Sequence, residues 1–184
     1  MDESIKKYQI IYADPPWNHN GEIFYRGGAR RHFEIMNTAD IVRLPIQQHC
    51  DWDCACFLWA VFPKLEDAIF TLKAWGFDYK TVAFTWIKIN KKSGTPFFGM
   101  GKWTRSNAEL CLLGIRGNIK RIDASISQII MSTIAKHSQK PSEVRDKIIK
   151  LIGDLPRIEL FAREKTKGWD VWGNEVESDI ELGE

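Results

Sequence analysis

The chain has 184 residues, of which 44% are hydrophobic, 12% aromatic and 27% charged. This size predicts one compact domain over residues 1–184 and leaves little room for a second. The net charge of +2 is lower than expected for a dedicated non-specific nucleic-acid binder. Any contacts with phosphate must therefore come from local clusters of basic residues.

The cysteines bear on compartment and on metal binding. No secretory signal or long apolar run is visible, so we expect an intracellular, cytoplasmic protein with reduced thiols and no membrane partner. Three of the four cysteines follow His49 closely, but the C-x3-C-x-C spacing is not typical of zinc ribbons or fingers. We predict buried thiols and no metal, with zinc as the less favoured alternative, for Cys50, Cys54, Cys56 and Cys111.

The first half of the chain alternates apolar runs with helical patterns. The run Tyr8–Ala13 predicts a strand, and a long glycine-containing stretch occupies 18–36. Asn37 and Thr38 can cap a short helix that Pro45 ends. A second strand is predicted at 56–61, followed by a helix that carries 65–72 and stops at Gly76.

The second half continues the same alternation. Strands are predicted at 81–89, 110–115 and 158–162, and a glycine-rich stretch at 90–108 separates the first two. A weaker helical pattern lies at 125–135, and a clearer helix opens at Pro141 and ends at Gly153. The acidic segment 176–184 is predicted to be a flexible tail.

This alternation predicts an α/β fold with three layers and a mostly parallel central sheet. Most of the predicted strands are apolar on both faces, which indicates a sheet that is covered on both sides. Ligands in such folds bind beyond the carboxyl ends of the strands. Both long stretches, 18–36 and 90–108, follow a strand end, and so they can border one cleft.

The sequence Asp14-Pro15-Pro16-Trp17 follows the first predicted strand directly. Pro15 favours an extended conformation at Asp14, and the two prolines fix their own φ angles. The turn is therefore rigid, and we expect it to present a carboxylate, bare carbonyls and an indole ring. The structural alternative is a strand-ending turn with a packed Trp17.

Such a turn suits methyl transfer to the exocyclic amine of adenine, a nitrogen whose lone pair is delocalised into the ring. The Asp14 carboxylate and the Pro15 carbonyl can each accept one N–H and so favour a pyramidal, more nucleophilic nitrogen. Trp17 can stack on the base. Positioning of this kind lowers a barrier by ~7–11 kcal/mol at best and requires no metal. A cationic methyl donor also favours a nearby carboxylate and aromatic faces.

Several ordered motifs resemble those of the MT-A70-like family of adenine methyltransferases over nearly the whole chain. Beyond the turn, they are FLW at 57–59, WIK at 86–88, GKWTR at 101–105, ELCLLG at 109–114, KP at 140–141, RIELFAR at 157–163 and GWDVWGNE at 168–175. The resemblance implies a Rossmann-like methyltransferase fold in permuted order, with the catalytic turn before the cofactor strand. It also implies S-adenosylmethionine as the methyl donor.

The resemblance also implies roles for single residues. It places Asp14 at the target amine and near the donor methyl, and Lys140 at the methionine carboxylate. The ribose and nearby groups of the cofactor would lie against Phe161, Arg163, Asn174 and Glu175. Many relatives have a Tyr in place of Phe33 and a cofactor-adenine contact before the first strand, and there is no G-x-G-x-x-G motif here.

A nucleic acid can be held by basic side chains from both long stretches. The first contains Arg26, Arg30 and Arg31, and the second is bordered by Lys88, Lys91, Lys92, Lys102 and Arg105. Trp103 can stack on a base or fill the gap left by a flipped one. The predicted substrate-binding set is Trp17, Arg26, Phe33, Lys88, Trp103 and Arg105. The alternative is that these are solvated loop charges.

The sequence therefore predicts an S-adenosylmethionine-dependent methyltransferase that is specific for the N6 amine of adenine in nucleic acid. DNA is favoured over RNA because the chain is short and has no appended RNA-binding module. A second copy or a partner subunit can supply further surface. Two alternatives stay open: a catalytically silent nucleic-acid-binding homologue that supports an active partner, and methylation of another planar amide such as a protein glutamine.

Overall fold

The computed structural model describes residues 5–18, 35–99, 101, 103–134 and 139–183. Some of the predicted nucleic-acid contacts lie outside these residues. They are Arg26, Arg30, Arg31, Phe33 and Lys102.

Within the described residues, seven strands form one mixed sheet. They are β1 (Tyr8–Ala13), β2 (Cys50–Ala60), β3 (Asp78–Ile89), β4 (Ala108–Arg116), β5 (Ile129–Thr133), β6 (Arg157–Leu160) and β7 (Asp170–Trp172). The strand order is β5-β3-β4-β2-β1-β6-β7. Among the strands of the described ranges, β4 alone runs antiparallel to its neighbours β2 and β3, and the other neighbours pair in parallel. The predicted mostly parallel α/β sheet is confirmed.

In the part of the chain that the structure describes, three α-helices connect the strands: α1 (Thr38–Arg43), α2 (Leu65–Ala74) and α3 (Glu143–Ile152). Helix α3 ends at Gly153, whose φ of 105° lies in the region that only glycine adopts readily. Short 3₁₀ turns precede β2 and α2. No helix in the described part of the chain is long and apolar enough to span a bilayer.

Apolar side chains cover both faces of the sheet. Consecutive residues of β1 alternate between two core clusters, with Ile11 packed among residues of α1 and α2, and Ile10 among residues of α3. Because side chains along a strand point alternately to opposite faces, a central strand covered on both sides must be apolar at every position. The near-continuous apolar runs in the sequence thus correctly predicted a three-layer arrangement.

The helix predicted at 125–135 is wrong, since strand β5 lies there. β5 pairs in parallel with β3, with Ile129 opposite Thr85 and Met131 opposite Ile87. Burial alternates along this strand, so that Ile130 is buried while Ile129 and Met131 are exposed. Pairing with β3 decides the conformation of this short segment, whose spacing of apolar residues suits either structure. Strand β7 was also missed, since three residues carry no periodic signal.

Residues 178–182, which belong to the segment predicted to be a flexible acidic tail, pack against strand β7 and the core. The Asp179 carboxylate accepts a hydrogen bond from the Val171 backbone N–H at 2.9 Å, and the Asp179 N–H donates to the Val171 carbonyl at 2.8 Å. Lys165 forms an ion pair with Asp179 at 3.2 Å. Ile180 and Leu182 pack against the core. The acidic composition of this segment suggested solvent exposure. One of its acidic residues, Asp179, instead accepts a hydrogen bond from the outer strand β7.

Candidate active site

The strand order brings distant parts of the sequence to one edge of the sheet. The carboxyl ends of the parallel strands β1, β2, β6 and β7 lie at this edge, where ligands bind in open α/β sheets. Because β4 runs the opposite way, its amino end lies there too, and Glu109 comes close to the turn that follows β1. The topology therefore assembles the site from five strand ends.

A cavity of about 270 Å³ opens at this edge. All four residues of the predicted catalytic turn line it, and so do Lys140 and Arg163. Its full lining is Asp14, Pro15, Pro16, Trp17, Ile35, Trp59, Ala60, Val61, Glu109, Lys140 and Arg163. The cavity thus combines a charged centre with apolar and aromatic walls, as sites for planar ligands commonly do.

Four charged side chains form a continuous chain at the cavity. The Lys140 ammonium lies 2.8 and 2.9 Å from the two carboxylate oxygens of Asp14, and 3.1 Å from Glu109 Oε2. Lys88 Nζ donates to the other Glu109 oxygen at 2.5 Å. All four side chains are between 11% and 22% exposed. Two positive and two negative charges therefore balance in a partly buried site.

Aromatic rings support both lysines. Lys140 Nζ lies 5.4 Å from the ring centre of Trp59, and Lys88 Nζ lies 5.2 Å from that of Trp86. The Trp59 indole N–H donates to the Tyr12 hydroxyl at 2.8 Å, which fixes the ring. The faces of these rings attract cations and so hold the two ammonium groups in place.

Burial and neighbouring charges give the carboxylates of Asp14 and Glu109 different pKa values. Burial raises the pKa of Asp14 above its usual 3.8, and the Glu109 charge acts in the same direction against the attraction of Lys140. Burial also acts on the pKa of Glu109, but the two lysines outweigh it and lower that pKa below the usual 4.5. Asp14 is therefore the carboxylate that takes up a proton first as the pH falls.

The pKa of Lys140 also depends on burial and on neighbouring charges, which act in opposite directions. Burial disfavours the charged ammonium, but Asp14 and Glu109 outweigh this effect and raise the pKa of Lys140 above its usual 10.5. Lys140 accordingly stays protonated at neutral pH.

The carbonyls of the proline turn are not bare, in contrast to the sequence prediction. The Trp17 N–H donates to the Pro15 carbonyl at 2.8 Å, and the Met36 N–H donates to the Pro16 carbonyl at 3.0 Å. The prolines lack N–H groups of their own, but the chain beyond them turns back and supplies donors. Each carbonyl oxygen has a second lone pair, so Pro15 can still accept a bond from a ligand.

Trp17 is more enclosed than a freely offered stacking ring. It is 6% exposed, and its indole N–H donates to the Trp59 carbonyl at 2.9 Å. It nevertheless lines the cavity. The turn is thus partly buried, and the Asp14 carboxylate forms an ion pair. Because a cavity lies directly beside the turn, a ligand can still reach it, as the enzymatic interpretation requires.

The predicted cofactor residues follow β6 and β7 at the same edge. Phe161 has a φ of 60°, which is a strained conformation for a non-glycine residue, and its ring meets Trp172 edge-on at 5.3 Å. Arg163 lines the cavity and lies 4.0 Å from Glu175. Asn174 and Glu175 are exposed and do not line the Asp14 cavity.

Backbone packs closely beside these residues. A Cβ added at Gly173 would lie 2.3 Å from the Ala162 carbonyl oxygen, so only glycine fits there. The two strand ends after β6 and β7 are therefore held side by side.

Of the predicted substrate residues that the structure describes, Trp17 lines the cavity, and the other three lie outside its lining. Lys88 is engaged with Glu109, Trp103 is 98% exposed and Arg105 is exposed. Another aromatic residue of the same loop, Phe98, is 72% exposed and was not singled out from the sequence.

Glu109 and Trp59 are the site residues that sequence reasoning missed. Both were quoted within matching motifs, but neither was given a role. A carboxylate at the start of an otherwise apolar strand was the available signal for Glu109, since such a charge is costly to bury without a partner. Among the described residues, no group of three or more His, Cys, Asp or Glu side chains is placed to hold a metal ion.

The family model MT-A70 matches residues 8–175, which span every strand of this sheet. The chain belongs to the MT-A70 family. The Type II methyltransferase M.MunI from Mycoplasma sp. is 34% identical over 93% of this chain and 78% of that protein. The catalytic subunit METTL3 of human N(6)-adenosine-methyltransferase is 28% identical, over 96% of this chain but 30% of its own length. An MT-A70-like N(6)-adenosine-methyltransferase of Drosophila melanogaster is 27% identical.

MT-A70 proteins are S-adenosylmethionine-dependent methyltransferases. The residues at the sheet edge fit this cofactor chemically. Lys140 and Arg163 supply positive charge for a carboxylate, Glu175 can accept hydrogen bonds from ribose hydroxyls, and Asp14 with the face of Trp59 suits a sulfonium cation. The cavity thus offers positive charge for the carboxylate of the donor and negative charge for its sulfonium.

Proposed function

We propose that this MT-A70 protein transfers a methyl group from S-adenosylmethionine to the N6 amine of adenine in nucleic acid, and that DNA is its substrate ahead of RNA. The observation that carries the proposal is the cavity beside Asp14, whose carboxylate lies at the carboxyl end of β1 within reach of Lys140 and Glu109. S-adenosylmethionine supplies an electrophilic methyl group when it is bound.

Asp14 and the Pro15 carbonyl act together on the amine. Both line the cavity, and each can accept one N–H of the amine, which directs the nitrogen lone pair towards the methyl group. The pKa of Asp14 is raised by burial, which makes it a stronger base than an ordinary aspartate. Asp14 is therefore suited to receive the proton that the amine loses on methylation.

Lys140 serves two partners at once. Its ammonium pairs with Asp14 and Glu109, and an ammonium has three N–H bonds to distribute. We assign it to the methionine carboxylate as well, with Arg163 beside it. Phe161, Asn174 and Glu175 hold the ribose side, since they follow the neighbouring strands β6 and β7.

The loop after β3 is proposed to hold the nucleic acid. Residues 90–107 contain basic and aromatic side chains and no acidic residue. Two of its rings, Phe98 and Trp103, face solvent, where stacking on bases would cover them. Arg105 supplies positive charge for phosphates at the exposed side of this loop. Lys88 supplies positive charge at the side of the loop that faces the cavity.

The preference for DNA rests on the relatives. M.MunI, a Type II methyltransferase, matches this chain over most of both lengths, whereas the chain spans only 30% of the length of human METTL3.

An intracellular, reducing setting fits the four free cysteines.

Product analysis tests the proposal. The protein is incubated with isotope-labelled S-adenosylmethionine and either duplex DNA or single-stranded RNA of matched sequence, and each nucleic acid is digested to nucleosides. We expect labelled N6-methyldeoxyadenosine, in greater yield than N6-methyladenosine from RNA. Label in RNA alone would reverse the order of substrates, and label in another base or in the protein fraction would refute adenine as the target.

A further inference from the structure

Lys88 is bound to the protein rather than offered to solvent. Its Nζ donates to Glu109 Oε1 at 2.5 Å and lies 5.2 Å from the centre of the Trp86 ring. The Lys88 side chain is 19% exposed, whereas Lys91 and Lys92 in the loop that follows are exposed. To bind a phosphate, Lys88 would have to give up its contact with Glu109. Its place in the fold therefore indicates a role within the site.

The pairing of β3 with β4 fixes this contact. Trp86 lies opposite Glu109 in the register, and the Lys88 N–H donates to the Asn107 carbonyl at 2.9 Å. Because side chains along a strand alternate between faces, Lys88 shares the face of Trp86 and is the diagonal neighbour of Glu109. The Trp86 indole N–H donates to the Ser132 carbonyl of β5 at 3.2 Å, which holds the ring beside Lys88. Three paired strands therefore place the Lys88 ammonium at Glu109.

Glu109 uses its two oxygens for two different lysines. Oε1 accepts a hydrogen bond from Lys88, and Oε2 lies 3.1 Å from the Lys140 ammonium. The Glu109 side chain is 15% exposed, so a carboxylate oxygen that lost its partner here would be poorly hydrated, which is costly. The contact with Lys88 thus fixes the direction in which Glu109 faces Lys140.

Two carboxylates share the Lys140 ammonium. It lies 2.8 and 2.9 Å from the oxygens of Asp14, closer than it lies to Glu109. Lys88 neutralises part of the charge of Glu109 and so weakens the attraction between Glu109 and Lys140. Without Lys88, Glu109 would attract Lys140 more strongly and draw it away from Asp14. The position of Lys140 therefore depends on Lys88, whose ion pair among the described residues is with Glu109.

We propose that Lys88 is a positioning residue for methyl transfer, which holds one oxygen of Glu109 so that Lys140 stays centred on Asp14. The inference rests on the proposed function, because Asp14 receives the target amine in that proposal. Lys88 acts through Glu109 and forms no bond with the substrate or with S-adenosylmethionine. A direct contact between Lys88 and a phosphate is the alternative, and the two roles predict different kinetics.

A double-mutant cycle tests whether Lys88 acts through Glu109. kcat and KM for duplex DNA are measured for the wild type, Lys88→Met, Glu109→Gln and the double variant. We expect Lys88→Met to lower kcat by about tenfold, since a small displacement of a reacting group slows the chemical step. In the Glu109→Gln background the same change should alter kcat by less than about twofold, because the contact is already lost.

A phosphate contact would give another pattern. Lys88→Met would then raise KM, lower the salt dependence of binding, and have the same effect in both backgrounds, which would refute the positioning role. Lys80→Met is the matched control, because Lys80 is exposed near the opposite end of the same strand. Both of its kinetic constants should equal those of the wild type.

The cycle stays decisive if Lys88→Met does not fold. The double variant and Glu109→Gln both lack the Glu109 carboxylate, so neither leaves that charge buried without a partner. Equal kcat values in these two variants support the proposal, and a further tenfold loss in the double variant contradicts it.

Titration of Glu109 tests the contact without any substrate. The charged side chains beside this carboxylate are Lys88, Lys140 and Asp14, and the two lysines lower the pKa of Glu109 against the effect of burial. Loss of Lys88 should therefore raise the pKa of Glu109. The measurement is the ¹³C chemical shift of the Glu109 carboxyl carbon, assigned by its absence in Glu109→Gln. The same pKa in Lys88→Met and in the wild type would rule out the contact.

Failure of this inference and failure of the proposed function give different results. If the wild type methylates neither DNA nor RNA, the proposed function fails, and the titration still decides whether Lys88 controls Glu109. If the wild type methylates adenine and Lys88→Met keeps the wild-type kcat, the proposed function stands and the positioning role is refuted.

Discussion

Positive and negative charges alternate along the contacts that link Lys88, Glu109, Lys140 and Asp14. Glu109 has a lysine on each side, whereas Asp14 has Lys140 on one side and the cavity on the other. This difference in position explains why the pKa of Asp14 is raised while that of Glu109 is lowered. Glu109 therefore stays ionised to lower pH than Asp14, which suits the proton transfer that we propose for Asp14.

Two substitutions should move the acidic limb of the activity profile in opposite directions. The proposed chemistry needs ionised Asp14, so kcat/KM falls as the pH drops through the pKa of Asp14. Lys140→Met removes the cation that opposes the burial effect, so the pKa of Asp14 rises and the limb moves to higher pH. Glu109→Gln removes a neighbouring negative charge, so the limb moves to lower pH.

The measurement is kcat/KM against pH for the wild type and both variants at saturating methyl donor. Lys147→Met is the control, because Lys147 pairs with Glu143 on α3 and not with Asp14 or Glu109. Shifts of the same sign in Lys140→Met and Glu109→Gln would contradict this account of the charge chain.

The sequence sufficed to single out Asp14, Lys140 and Arg163, which the structure brings to one cavity. The proline turn indicated Asp14, and the family resemblance implied the roles of Lys140 and Arg163. Glu109 and Trp59 were not predicted as site residues, since their closeness to Asp14 depends on β4 running antiparallel beside β2 and on the order of the strands. Periodicity within one strand contains nothing about its direction relative to another strand.

At the scale of elements, short segments at the sheet edges were the least predictable. The long central strands were found because burial on both faces leaves an apolar run, and β1 was predicted with its observed bounds. Strand β5 has one buried and several exposed positions, so its sequence fits a helix equally well. Its partner β3, more than forty residues away in the sequence, determines its conformation.

A pair of substitutions in β5 distinguishes the strand from the predicted helix. Ile130→Ala should lower the free energy of unfolding by about 2–4 kcal/mol, since Ile130 is buried in the core. Met131→Ala should change it by less than about 0.5 kcal/mol, because Met131 is exposed. Urea titration measures both values, and equal losses at the two positions would argue against the alternating burial.

Backbone hydrogen bonds hold the first residues of the loop after β3. The Asn90 N–H donates to the Thr95 carbonyl at 2.8 Å, and the Phe97 N–H donates to the Lys88 carbonyl at 2.7 Å. The described part of this loop therefore turns back along the end of β3 and presents Phe98 and Trp103 to solvent.

Trp103→Ala should weaken binding of single-stranded DNA by about 1–3 kcal/mol if the ring stacks on a base. Arg105→Ala should weaken binding and lower the slope of log Kd against log salt by about one phosphate contact. Fluorescence anisotropy over a salt titration measures both. Trp52→Ala is the control, since Trp52 is exposed at the other edge of the sheet. Equal effects of Trp52→Ala and Trp103→Ala would refute a specific role for the loop.

At the scale of the whole molecule, the sheet order brings the catalytic turn and the predicted cofactor residues together. Strands β1, β6 and β7 are neighbours, so the turn after β1 and the predicted cofactor residues after β6 and β7 share one edge. The family resemblance, rather than the apolar pattern, indicated this permuted order. The positions of Asn174 and Glu175 relative to Asp14 depend on this order of the strands.

S-adenosylmethionine should raise the unfolding temperature of the protein. Donor at 100 times its Kd stabilises the folded state by about 2.7 kcal/mol, which corresponds to several degrees for a domain of this size. Differential scanning fluorimetry and calorimetry measure the shift and the heat of binding. A catalytically silent scaffold that does not bind the donor would show neither.

Asp14→Asn tests the central claim most directly, because it keeps the size of the side chain and removes the carboxylate. Methyl transfer to duplex DNA is measured with labelled donor for the wild type and for Asp14→Asn, with donor binding followed by calorimetry. We expect kcat to fall by at least about 100-fold while the variant still binds the donor. A variant that binds the donor and methylates adenine at the wild-type rate would contradict the role of this carboxylate.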